Sequence, residues 1–304
     1  LLRYLRNTRQ KNGYIVRAID SKREGIFAMK KTFKVKRFAL CAAVVLLCIP
    51  FLVPLYYAVI NSLRGVYDLQ VIVPHKFELK NYYYAVTLIP FLRYLGNSLI
   101  ICGISVGLGF LSNFIYGYAF ARINVKGSSV LFMITLAQMM IPSFATQVPQ
   151  YIMLSSLGVR DSFLIWFIGV FAGNPLMIFL YRQYLRSVPK EIEEAAIVDG
   201  CSYITMIPHI FMPICSAVLA IVFFKLFCVH WGDYMTPFMY LREQHYPLAL
   251  ALFGTSYTFP EDPTTKLQPV LLAAALLMAL PTVVLFFICQ KHLVEGVVAG
   301  SIKG

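Results

Sequence analysis

The stretch LQPVLLAAALLMALPTVVLFFICQ, residues 267–290, contains no charged side chain. An α-helix needs about 20 apolar residues to cross the roughly 30 Å of hydrocarbon in a bilayer. Lipid offers the backbone no hydrogen-bond partner, so an apolar run of this length predicts a helix, whereas barrel strands alternate over about ten residues. Further uncharged runs of comparable length lie at residues 38–63, 94–121, 127–159, 162–181 and 200–224. The sequence therefore predicts an all-α, polytopic membrane protein with six transmembrane helices.

The composition agrees with this prediction. Of the 304 residues, 59% are hydrophobic and 13% are charged, whereas about a quarter of the residues of a soluble domain are charged. The seven cysteines are odd in number, lie mostly within the apolar runs and form no CxxC pair. We interpret them as small packing residues rather than disulfides or metal ligands.

The distribution of Lys and Arg predicts the orientation in the membrane. The first 37 residues hold 12 of the 27 basic residues, and positive charge is retained on the cytoplasmic side. Six crossings then return the C-terminus to the same side. The net charge of +13 is therefore a topology signal, and the sequence contains no aromatic and basic module that would indicate nucleic-acid binding.

The same pattern divides the chain into three parts. Residues 1–37 form a basic cytoplasmic arm, residues 38–290 the transmembrane domain, and residues 291–304 a cytoplasmic tail. Met29 would be a natural start, so residues 1–28 are either an upstream extension or a disordered arm. Within the domain, breaks are expected near Pro142 and at GNP, residues 173–175, because proline and glycine interrupt helices.

Motifs for catalysis are missing from the sequence. It contains no G-x-x-x-x-G-K-[ST] phosphate loop, no H-E-x-x-H metal pair and no G-x-S-x-G nucleophile elbow. We therefore predict no catalytic residue, no metal site and no cofactor bound by this chain.

A few polar residues lie within the predicted spans. Two roles are open to Asn113, Gln138, Gln147 and Asn174: hydrogen bonding to a hydroxylated solute along a substrate path, or joining neighbouring helices. Lys225, the charged residue of the spans, either extends its amine to the headgroups or lines a polar translocation path.

The loop between spans 4 and 5 contains SVPKEIEEAAIVDG, residues 187–200. Pro189 suits a first helical turn, the following glutamates lie at the positive end of the helix dipole, and Gly200 supplies a stop. A short cytoplasmic helix is therefore expected from Pro189 to Val198. A second should begin at Ser202 and end before Pro208. Small alanines and acids together indicate a docking element for another protein.

At this point the sequence resembles a known family. Glu194-Ala195-Ala196, three residues, Gly200, nine residues and then Ile210-Phe211-Met212-Pro213 is similar to the EAA loop of bacterial ABC importer permeases, E-A-A-x3-G-x9-I-x-L-P, with Met212 in place of leucine. YAFARINVKG after span 2, HWGDY after span 5 and the terminal GVVAGSIKG resemble the sugar-importer branch, particularly its maltose-type second permease subunit. That branch usually has W-N-D where this chain has Trp231-Gly232-Asp233.

The resemblance implies a mechanism and partners. Such permeases sit in the bacterial cytoplasmic membrane, pair with a homologous second permease and an ATPase dimer that binds ATP and Mg, and receive sugar from an extracellular solute-binding protein. The EAA helix would dock on the ATPase and transmit its closure to spans that alternate their access. The docking residues implied in this chain are Glu194, Ala195, Ala196, Asp199, Gly200, Ile210 and Pro213.

Two alternatives remain at this level. One is an ABC importer permease for an amino acid, a peptide or a phosphorylated polyol. The other is a membrane enzyme or an autonomous channel. The missing catalytic motifs oppose the enzyme, and a channel has no use for a docking loop.

Overall fold

A computed structural model describes residues 37–38, 40–68, 72–73, 77–254 and 257–301. All regular elements in these residues are helical, and the pair Phe259 and Asp262 forms an isolated β-bridge. The prediction of an all-α protein is thus confirmed. The predicted basic arm, apart from Arg37, lies outside the described residues. The chain divides into two units between Ile60 and Asn61.

The helices follow in chain order as α1 (Leu40–Ser62), α2 (Lys80–Thr87), α3 (Phe91–Arg122), α4 (Ser128–Met140), α5 (Ser143–Ser156), α6 (Leu164–Ala172), α7 (Pro175–Ser187), α8 (Lys190–Val198), α9 (Tyr203–Ile214), α10 (Ser216–Trp231), α11 (Met235–Tyr240), α12 (Leu248–Gly254) and α13 (Gln268–Ser301).

Three of these helices are long and apolar enough to cross a membrane: α1, α3 and α13. Three bent pairs raise the number of spans to as many as six if each pair is one span. The bends are 101° between α4 and α5, 43° between α6 and α7, and 89° between α9 and α10. The helix α13 continues to Ser301, through residues that were predicted to form a tail.

Two of the bends lie where the sequence predicts them. Pro142 directly precedes α5. This position suits it, because proline is accepted at a helix start but removes a hydrogen bond from a helix interior. Between α6 and α7, Gly173 has a φ of +69°, and Asn174 caps α7 by accepting hydrogen bonds from the backbone N–H groups of Leu176 and Met177. In contrast, α9 does not end before Pro208; it widens there into a π-helical turn over Ile207–Phe211.

Helices α3 and α7 pack against each other at very short range. Gly117 on α3 faces Tyr181 on α7, and a Cβ atom at residue 117 would lie 2.5 Å from the Tyr181 Cβ. Tyr181 is fully buried. The close contact therefore requires glycine at residue 117. Both helices contribute to the largest buried cluster of the described residues, which also includes residues of α8, α9 and α10.

Asp161 lies on the loop before α6 and joins this loop to the segment that follows α11. Its carboxylate accepts hydrogen bonds from the Arg242 backbone N–H at 2.9 Å and from Gln244 Nε2 at 3.3 Å, and its Oδ1 lies 2.8 Å from His245 Nδ1. The hydrogen bond with His245 is the main reason why the pKa of Asp161 is lowered. The contacts hold the Asp161 backbone at a φ of +51°, which is uncommon for a residue other than glycine.

Candidate functional site

The short helix α8 forms close to the predicted bounds, Lys190–Val198 instead of residues 189–198. Its end is a Schellman motif: Gly200 N–H donates to the Ile197 carbonyl at 3.0 Å and Cys201 N–H donates to the Ala196 carbonyl at 2.9 Å. The motif needs a left-handed residue, and Gly200 supplies it with a φ of +81°. The next helix begins where predicted, with Ser202 as its cap.

The two faces of α8 differ strongly. Glu194 and Ala195 are exposed, as are the residues that follow the helix, Asp199 and Gly200. The exposed surface also carries large apolar side chains, with Val198 86% exposed. Of the remaining predicted docking residues, Ile210 is half-buried and Pro213 is exposed.

Ala196 departs from the prediction. Ala196 is one of the docking residues implied by the resemblance, but its side chain is only 5% exposed and belongs to the chain's own largest buried cluster. Residues 193 and 196 are three apart and therefore lie on one side of a helix. That side faces the chain itself, so Ala196 fixes α8 to the bundle.

Glu193 also faces inward, where it meets Arg122 at the end of α3. Arg122 Nη1 lies 3.5 Å from Glu193 Oε2, and the two side chains are 4% and 14% exposed. The sequence predicts for Glu193 only that it favours the helix start, and it does not predict the contact with Arg122. The position of Arg122 could have indicated this contact. It lies at the end of an uncharged run, and a cation that is buried there needs a partner.

The Arg122 guanidinium has three further neighbours. Its Nη2 donates to the carbonyl oxygens of Leu185 at 2.7 Å and Val188 at 2.8 Å, at the end of α7. The Phe211 ring of α9 lies 5.2 Å from its Cζ atom, within the range of a cation–π contact. One side chain from α3 thus touches α7, α8 and α9.

A second arginine links α3 and α7 in the other direction. Arg182 of α7 donates through Nε to the Phe120 carbonyl of α3 at 3.3 Å, and its Cζ lies 3.8 Å from the centre of the Phe132 ring of α4. The carboxyl ends of α3 and α7 are therefore joined by an arginine from each helix. Helix carboxyl ends carry unsatisfied carbonyls and favour cations.

A cavity of about 290 Å³ lies between the helices. Of the polar residues predicted along a substrate path, Asn113, Gln147 and Asn174 line it, whereas Gln138 and Lys225 do not. Both of those residues are exposed on their helices. An exposed Lys225 is compatible with both roles predicted for it, because a path completed by a second subunit would also be open in a single chain.

Asn113 and Asn174 are bonded to each other and to backbone. Asn113 Oδ1 accepts from the Asn174 backbone N–H at 2.6 Å, and Asn113 Nδ2 donates to the Gly109 carbonyl at 2.5 Å. The bond between them joins the helices at the break before α7, and both side chains also line the cavity.

Sequence reasoning missed several other polar residues of this cavity. The lining also contains Ser105, Gln150, His230, Asp233, Thr236 and Tyr240. The buried Ser105 Oγ and Tyr240 hydroxyl have no hydrogen-bond partner within the described part of the chain. A buried hydroxyl without a partner is costly, so these two suit a polar solute or water.

The matched family defines the class of protein. Residues 105–298 match the family of binding-protein-dependent transport system inner membrane components. The chain belongs to this family, and it is a multi-pass component of the cytoplasmic membrane.

Two relatives and one solved structure show which members of the family the chain is similar to. The chain is 31% identical to the melibiose/raffinose/stachyose import permease protein MelC of Bacillus subtilis, over 90% of this chain and 99% of the relative. It is 31% identical to the maltodextrin transport system permease protein MdxG of the same organism, over 62% of this chain and 67% of the relative. A crystal structure of a bacterial ABC transporter that imports the acidic polysaccharide alginate contains a chain of similar fold, with a TM-score of 0.72 and 21% identity over 85% of this chain and 97% of that chain.

Proposed function

We propose that this protein is a permease subunit of an ATP-binding cassette importer that moves an oligosaccharide into the cytoplasm. The observation that carries the proposal is the 31% identity to an oligosaccharide import permease over 99% of its length. The cavity supports it, because neutral amides and hydroxyls such as Gln147, Gln150 and Tyr240 suit the hydroxyl groups of a sugar.

The proposal includes an orientation of the chain in the membrane. With six spans and the basic N-terminal segment in the cytoplasm, both termini and the α8 loop lie on the cytoplasmic side. That is the side on which ATP is available.

The same proposal assigns α8 to an ATPase. The sequence has no phosphate loop, so the work must come from a partner. The exposed face of α8 offers Glu194 and Ala195, with Asp199 and Gly200 beside it. An ATPase dimer would move α8 and thereby bias the bundle between two access states. A homologous second permease would complete the path, and a solute-binding protein would deliver the sugar.

Uptake by the host tests the class of solute. Deletion of the gene should abolish uptake of radiolabelled raffinose, maltotriose or both, and a plasmid copy should restore it. Leucine and glycerol-3-phosphate uptake serve as controls and should not change. Loss of amino acid or polyol phosphate uptake, with oligosaccharide uptake intact, would establish the alternative of a non-sugar importer.

Substitution of Gly200 tests the docking of α8. Gly200→Pro forces φ to about −65° and removes the N–H that closes the Schellman motif, with a local cost of about 1–3 kcal/mol. We expect several-fold less ATPase to co-purify with the permease. Gly200→Asn is the matched control, because asparagine tolerates the left-handed conformation and no atom lies within 4 Å of a Cβ there. Equal ATPase recovery from the proline variant and the wild type would count against docking through this loop.

A further inference from the structure

We propose that Arg122 is a positioning residue, which fixes α8 to the carboxyl ends of α3 and α7 so that all three move as one body. The inference rests on the proposed function, in which α8 receives movement from an ATPase. It concerns the path by which this movement reaches the spans.

The burial of Arg122 gives the first argument. Its side chain is 4% exposed, and it faces the carboxylate of Glu193. An arginine stays charged at any physiological pH, so its burial demands compensation. The carboxylate, two carbonyls and an aromatic ring compensate the terminal nitrogens, and they come from α8, from the end of α7 and from α9. Its Nε has no hydrogen-bond partner within the described part of the chain.

The position of these contacts along the chain gives the second argument. Helix α7 is joined to α8 by a short connection at Val188 and Pro189. Arg122 bonds to Leu185 and Val188 before the proline and to Glu193 after it. Contacts on both sides of a connection prevent the two helices from pivoting about it. Without Arg122, α8 would be attached to the bundle mainly by the apolar contact of Ala196, and it would swing more readily about Pro189 instead of carrying α7 with it.

The shape of the guanidinium gives the third argument. One terminal nitrogen serves Glu193 and the other serves two carbonyls. A planar group with several fixed donors meets such a set of acceptors at once, whereas a lysine ammonium is a single point.

Arg182 offers a matched control. It lies at the same end of the same two helices and also donates to a helix carbonyl. Its ring contact is with Phe132 of α4, and none of its described contacts reaches α8. Loss of Arg182 should weaken the joint of α3 and α7 but leave α8 attached.

The first measurement is of the position of α8. Nitroxide labels on Asn124→Cys, just beyond α3, and Val198→Cys, on exposed α8, report the distance between them by pulsed electron spin resonance. The measurement uses the full transporter in nanodiscs, with the native cysteines replaced by alanine or serine. Arg122→Met should at least double the width of the distance distribution. Glu193→Gln, nearly identical in shape, should widen it less, and Arg182→Met should leave it unchanged.

The second measurement is of coupling in the same transporter without labels. At equal amounts of assembled complex, Arg122→Met should lower the maximal rate of raffinose or maltotriose uptake by about tenfold and raise the ATP consumed per sugar. The KM should not change, because the solute contacts are untouched. Arg122→Lys, which keeps the charge beside Glu193, should recover part of the rate.

The outcomes separate the two proposals. A wild-type transporter that takes up neither sugar contradicts the proposed function, whatever the label distances show. An unchanged distance distribution in both Arg122→Met and Glu193→Gln overturns the positioning role. Equal broadening by Arg182→Met also overturns it, because it would reduce Arg122 to a general support of the bundle.

Discussion

Gly117→Ala is expected to force α3 away from α7 and to lower the free energy of unfolding by about 1–3 kcal/mol, the usual cost of overpacking. The new methyl group would lie 2.5 Å from the Tyr181 Cβ and 3.3 Å from both the Arg182 backbone nitrogen and the Ile178 carbonyl oxygen. The nearest atom is the first side-chain atom of Tyr181, so no rotamer change relieves the clash. The backbones must separate.

The matched control for this variant is in the same span. Gly103→Ala adds the same methyl group to α3, but nothing lies within 4 Å of it. Alanine favours a helix over glycine by about 1 kcal/mol, so the control should be neutral or slightly stabilising. Both variants are unfolded by heat in detergent, and the midpoint temperature is read from the loss of the monodisperse chromatographic peak. Equal midpoints for Gly117→Ala and Gly103→Ala would show that the contact between α3 and α7 accommodates a methyl group, which contradicts the prediction.

Separation of α3 from α7 should also affect the α8 end of the bundle. Arg122 and Arg182 each reach across from one helix to carbonyls of the other. Their bonds are at normal lengths only while Gly117 permits the close approach. Gly117 therefore sets the distance between the helices, Arg182 uses that distance to join α3 to α7, and Arg122 with Glu193 uses it to hold α8.

Much of this arrangement follows from local sequence. The apolar runs, the breaks at Pro142 and Gly173 and the bounds of α8 depend on residues that are neighbours in the chain. Each was predicted by run length or by the chemistry of proline, glycine and caps. The same local rules missed the passage of α9 through Pro208, because a π-helical turn accommodates the proline there.

The faces of the helices could not be predicted in this way. Glu193 and Glu194 are adjacent and chemically identical, yet one is bonded to Arg122 and the other is exposed. The difference is the rotation of α8 about its axis, which α3 determines through packing. The residues that line the cavity could not be predicted for the same reason. Gln147 lines the cavity, whereas Gln138, one helix earlier, does not.

This difference between the two acids makes Glu194→Lys a sharp test of docking. Glu194 is exposed on the face of α8 that the bundle leaves free, so the substitution should not disturb folding or insertion. If an ATPase holds this face through a basic residue, the lysine replaces an attraction with a like-charge contact, which costs several kcal/mol at an interface. We expect stimulated ATP hydrolysis and sugar uptake to fall by about a hundredfold or more.

Glu191→Lys is the matched control for the charge. Glu191 is also exposed and lies in the first turn of α8, where an acid favours the helix dipole by about 0.3–1 kcal/mol. Its replacement should reduce uptake only slightly. Membrane abundance, ATPase co-purification, ATP hydrolysis and uptake are measured for both variants. Normal uptake by Glu194→Lys would refute the docking of α8, and an equal loss from Glu191→Lys would mean that the net charge of the helix matters rather than its exposed face.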